Sequence, residues 1–238
     1  RMLPGPYARQ FPFYMSLIFL GGVVLLVLSA FTGAGGDIIV GDGIRYFEYA
    51  RSLMIEGHLP RERVVYPCGV SLIGMIGYAP SVWLGRALGW MQEGRAAEGW
   101  ALANQVAFCL PMIALSLAGM IAALRMLERL GFDRDLARFA LLVWFTGTNV
   151  PYYVFKEPAM SESATMASLS IYYYLIVRLG YRRPEDPERG APGIAAWALA
   201  GCALGLAAIV RQQNALHGLA VVILVATMAA PHWRMNPP

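Results

Sequence analysis

Six apolar runs, each near the length that crosses a bilayer, constrain this chain more than any other feature. They cover residues 11–32, 100–126, 139–155, 160–179, 193–210 and 215–230. A spanning helix needs ~20 predominantly apolar residues. Lipid offers backbone N–H and C=O groups no partner, so such runs satisfy their hydrogen bonds internally, as helices. Composition agrees, because only 14% of the 238 residues are charged and 58% are hydrophobic, against ~25% charged in a soluble domain. The expected fold class is all-α: a polytopic membrane helical bundle that forms a single membrane domain over residues 1–238.

A seventh run, 70–88, holds Pro80, three glycines and Arg86, and charge decides its placement. Short cytoplasmic loops concentrate arginine and lysine. If 70–88 does not cross, Arg1 and Arg9, the group Arg125, Arg129, Arg134 and Arg138, the group Arg178, Arg182, Arg183 and Arg189, and Arg234 all share one side. The other side takes Lys156, Arg211 and the long segment 33–98, with six arginines against seven acids. If 70–88 crosses, both arginine-rich loops move outside. The expectation is therefore six spans in a multi-pass protein of the cell inner membrane, amino end cytoplasmic. Residues 33–98 form an extracytoplasmic loop with two interfacial helices, one of them 70–88. Arg1 is not an initiator, so the amino end is expected to be incomplete.

The net charge of +4 is spread singly between apolar runs, which gives no basic stripe and no nucleic-acid partner. Cys68, Cys109 and Cys202 are far apart, so neither a disulfide framework nor a metal site is expected. His58 and His217 are isolated and read as structural.

This topology gathers polar groups on the outer face, and ionisable groups at membrane depth are costly enough to suggest a site. Asp42 lies in "GDGIRYFEYARSLMIEGHLP", residues 41–60. Asp before a helical run is a natural N-cap. The helix that follows is amphipathic, with Ile44, Phe47, Ala50, Leu53 and Met54 on one face and Arg45, Glu48, Arg51 and Glu56 on the other. It should lie flat with its apolar face in lipid, which holds Asp42 at headgroup level as a candidate general base. Lys156 and Glu157 sit in the turn "KEPAMSES", either as a salt-bridged turn or as a cation and a second carboxylate near a phosphate. Glu162, in the same turn, is a substitute for Glu157. Arg211 opens "RQQN", as a snorkelling anchor or a bidentate phosphate ligand. Arg45 and Tyr153 are additional candidates, the tyrosines being first of all interface residues.

Four segments together resemble the GT-C class of membrane glycosyltransferases. They are "GDGIRYFEYARSLMIEGHLP", "YPCGVSLIGMIGYAPSVWLG", "YYVFKEPAMSES" and "GLAAIVRQQNAL", in that order. The nearest likeness is to bacterial relatives of protein O-mannosyltransferases and lipid A aminoarabinose transferases, over residues 10–230. The resemblance implies a sugar donor on a polyprenyl phosphate and an extracytoplasmic acceptor. It also implies Asp42 as catalytic base with Glu157 opposite, Lys156 and Arg211 on the donor phosphate, no metal and no cofactor. Two departures stand out. Gly43 occupies the place where the family often has a second acid, and the chain is shorter than family members. The shortening supports a rival expectation: an inactive, transferase-like chain serving as a structural subunit beside partner membrane subunits. A transporter is disfavoured because the spans carry no charges at mid-depth and no inverted repeat of broken helices.

Overall fold

A computed structural model describes residues 20–22, 24, 37–60, 66–180, 193–219, 221–223 and 226. Among them the secondary structure is helical throughout. Helix α1 spans Gly43–Arg51 and continues as a π-helical turn, Ser52–Glu56, that ends at left-handed Gly57. Helices α2 (Gly69–Ala87), α3 (Leu102–Arg129), α4 (Arg134–Thr146), α5 (Ser161–Gly180) and α6 (Ile194–Val210) follow. A 3₁₀ helix, Gln212–Gly218, comes directly after α6.

Helix α3 is long and apolar enough to cross a membrane. At 28 residues it is about 42 Å long. Among the described residues α3 alone meets that measure of length and apolarity; the 160–179 run is helical as α5, to within a residue at each end, and 193–210 as α6, a shorter apolar helix of 17 residues. The 139–155 run is not one helix. Helix α4 stops at Thr146, whose hydroxyl donates back to the Leu142 carbonyl at 2.8 Å, and the chain bends before a π-helical turn at Tyr152–Lys156. Such back-bonding competes with the helical ladder, and Pro151, which has no N–H to donate, stands in the first turn of the segment that follows. The 11–32 run lies outside the described residues except for 20–22 and 24. The 215–230 run starts within the 3₁₀ helix, and most of the rest lies outside them.

Both helices of the first loop pack against α3, and α2 is the longer of them. It runs antiparallel beside the first half of α3, with Gly74 against Phe108, Gly77 against Ala107 and the Ser81 hydroxyl donating to Asn104 Oδ1 at 2.9 Å. A Cβ on Gly77 would stand 1.9 Å from the Ala107 carbonyl oxygen, so the two backbones meet only because the side chain is absent. Gly119 lets α3 approach Ala167 of α5 in the same way. The face of α1 expected to lie in lipid is packed on protein at Phe47 and Ala50. Phe47 is fully buried among Tyr78, Trp100 and Phe108, with ring centroids 4.8–5.2 Å away. Ala50 is also fully buried, whereas Leu53 stays 40% exposed. Protein aromatics offer α1 a packed surface with edge-to-face geometry that fluid lipid cannot match.

Candidate functional site

The site forms where the starts of α1, α2 and α5 converge with the end of α6. Helix α1 enters over the 157–160 turn: a Cβ on Gly43 would stand 2.9 Å from the Ala159 Cβ and 3.3 Å from Ile39 Cγ2. Position 43 therefore has no room for a second carboxylate, which accounts for the glycine there. Helix α2 starts against the last turn of α6, where a Gly69 Cβ would stand 2.5 Å from the Ile209 carbonyl and the Val210 nitrogen. Helix α5 begins at Ser161, beside Arg211. Helix N-termini carry partial positive charge, and three of them meet the C-terminus of α6 here.

Asp42 precedes α1, but its carboxylate makes no cap bond. It is exposed and accepts from the Tyr66 hydroxyl at 3.0 Å. That contact, with the carboxylate's charge and some burial, holds the Tyr66 phenol above the usual tyrosine range. Arg211 donates through Nε to Ser161 Oγ at 2.9 Å and through Nη2 to Glu162. Its side chain is 40% exposed and that of Glu162 26%. Between the two groups stands Tyr46, one helical turn beyond Asp42 and buried. Burial pushes its phenol up and hydrogen bonding by Ser161 pulls it down. Glu162 and Asp42 push it up and Arg211 draws it down. Tyr46 thus feels all three charges, and its carbonyl accepts from Ser71 Oγ at 2.7 Å, which ties α1 to α2.

The first loop is fastened by a network that the sequence reading missed. Gln105 on α3 is 1% exposed and uses both ends of its amide. Its Oε1 accepts from the Ile38 and Ile39 amides at 2.9 and 3.3 Å. Its Nε2 donates to Asp37 Oδ1 at 2.8 Å and to the Trp100 carbonyl at 3.1 Å. Asp37 also pairs with Arg95 at 2.8 Å, and the Arg95 guanidinium lies 5.5 Å from the Trp100 ring centre. These bonds fix residues 37–39, immediately before Asp42.

Beyond Arg211 the chain descends along α5. The 3₁₀ helix repeats every three residues, so Arg211, Asn214 and His217 share one face. They meet Ser161 and Glu162, then Thr165 at 3.4 Å, then Tyr173, while the Tyr172 hydroxyl donates to the His217 carbonyl at 2.9 Å. His217 packs here edge-on against Tyr173.

The structure therefore brings Asp42, Glu162 and Arg211 together with Tyr46, Tyr66 and Ser161. It does not bond the other predicted residues into this group. Glu157 accepts from Tyr152 at 2.5 Å, within its own turn. Lys156 is exposed, with no ion pair among the described residues. Tyr153 packs edge-on against Tyr152, and Arg45 pairs with Glu48 at 3.3 Å on the outer face of α1. Of the missed residues, Tyr46 had a signal, its i+4 spacing from Asp42 on one helix face. Tyr66 and Gln105 had none. Among the described residues no three His, Cys, Asp or Glu side chains are grouped as a metal would require. Compared with protein-family profiles, with curated proteins and with solved structures, the chain matches none.

Proposed function

We propose that this chain is a six-span, inner-membrane glycosyltransferase of the GT-C kind, amino end cytoplasmic, that moves a sugar from a polyprenyl phosphate to an extracytoplasmic acceptor. One observation carries the reading. The Asp42 carboxylate is exposed, makes no cap bond and is held by Tyr66, one helical turn before the buried Tyr46, whose phenol is hydrogen-bonded by Ser161 beside the Glu162–Arg211 pair. In the reaction Asp42 takes the proton from an acceptor hydroxyl or amine. The acceptor atom bonds to the anomeric carbon, the bond from that carbon to the phosphate oxygen breaks, and the phosphate leaves with the electron pair. Arg211 receives the departing charge. A guanidinium has five N–H donors, and Ser161 and Glu162 engage two of the Arg211 groups, so the rest remain for phosphate while Glu162 fixes the orientation. The N-termini of α1, α2 and α5 add positive potential. Glu162 takes the place first assigned to Glu157.

Purified protein in vesicles, supplied with a panel of polyprenyl-phosphate sugars, tests this. Asp42→Asn should abolish release of the free polyprenyl phosphate, a loss of ~10²–10⁴-fold, while leaving the fold intact because the carboxylate caps nothing. Equal turnover by both proteins on every donor would sink the assignment.

The ion pair between Arg211 and Glu162 favours a second reading, a structural subunit in which these groups hold helices together. Under that reading each single neutralisation destabilises the protein and the pair of them partly restores it. Under the transferase reading Arg211→Gln raises the KM for donor at little cost in stability.

A further inference from the structure

Away from this site, α3, α5 and α6 line an apolar cavity of about 550 Å³ that is open to the surface. Small side chains make the room: Ala118 and Ala122 on α3, Cys202 and Ala203 on α6. Ile171 and Leu175 close its α5 side, and Tyr174 and Arg125 are its polar lining. Arg125 lies near the α3 end that carries Glu128 and Arg129, away from the Arg211 site. Glu128 is shared by Arg125 at 3.1 Å and Arg134 at 2.6 Å. Arg125 is the cation of the lining, and around that end of α3 the four arginines 125, 129, 134 and 138 exceed the three acids 128, 133 and 135. We infer that this cavity holds one acyl chain of an anionic phospholipid, with the lipid phosphate on Arg125. Apolar walls match the chain, and basic groups at the cytoplasmic ends of membrane helices attract anionic headgroups. The inference rests on the proposed function only for the placement of α3, α5 and α6 across a bilayer, not for sugar transfer.

Native mass spectrometry of the detergent-extracted full chain, titrated with phosphatidylglycerol or phosphatidylcholine, tests it. Wild type should retain one phosphatidylglycerol in preference to phosphatidylcholine. Arg125→Gln should weaken that retention about fivefold. Cys202 is exposed, so Cys202→Phe should fill the cavity without crowding the core and should remove the bound lipid, with the thermal midpoint confirming the fold of each variant. Equal retention of both lipids by wild type overturns the inference, as does unchanged phosphatidylglycerol binding in either variant. A chain that never fractionates with membranes overturns the membrane reading instead, so the two failures are distinguishable.

Discussion

Tyr66 and Gln105 do at the residue scale what a capping bond was expected to do, which is to fix Asp42. Tyr66 holds the carboxylate directly, and the hydrogen bond raises the phenol above its ordinary value. A raised folded-state value means that the contribution is full below the unfolded tyrosine pKa of about 10 and fades as pH climbs through the folded value. Tyr66→Phe should therefore lower the thermal midpoint at neutral pH, where the hydrogen bond is fully in place, and flatten the alkaline limb of the profile so that the two proteins converge there, as differential scanning fluorimetry would read. Gln105 acts one step back. Gln105→Leu fills similar space but strands the buried Ile38 and Ile39 amides, at about 2 kcal/mol. We expect a lower unfolding midpoint, with faster hydrogen exchange confined to residues 37–42.

Among the elements, the contact between α2 and α6 decides the geometry of the site, because it sets Tyr66 relative to Arg211. At Gly69 the neighbour is backbone, which cannot rotate aside as a flexible side chain could. Gly69→Ala should push α2 off α6, lower stability by about 2 kcal/mol and reduce transfer more than Gly77→Ala. Both substitutions wedge α2 from a partner helix, but only Gly69 adjoins the site. Thermal midpoints and turnover measured together separate the two effects. The break after α4 belongs to this scale as well. The run "LLVWFTGTNVPYYVF" reads as one apolar stretch by composition, yet Thr146, Gly147 and Pro151 divide it. Hydropathy averages over a window, whereas helix continuity fails at single residues.

For the whole molecule, sidedness is the property that the proposed function needs. The three cysteines report on it without engineering. Cys68 is exposed at the start of α2, Cys109 is buried in the core, and Cys202 is exposed within the apolar cavity. A membrane-impermeant maleimide applied to spheroplasts should modify Cys68 alone. In the proposed arrangement lipid shields Cys202 from the charged reagent. Labelling of Cys68 only after lysis would reverse the topology and with it the extracytoplasmic acceptor.

The sequence by itself determined the helical class, the extents of α5 and α6 and the main part of α3, since apolar content and length act locally along the chain. It also named Asp42, Glu157, Lys156 and Arg211, with Glu162 as a substitute for Glu157, because charge beside apolar runs is conspicuous in one dimension. Only the tertiary structure decided that α2 stands along α3, that the apolar face of α1 meets protein, and that Arg211 pairs with Glu162 while Glu157 stays in its own turn. Those outcomes turn on which backbones can approach closely, at Gly43, Gly69 and Gly77, and on hydrogen-bond partners up to 68 residues apart, such as Asp37 and Gln105. Periodicity records which face of a helix is apolar; it does not record what that face will meet.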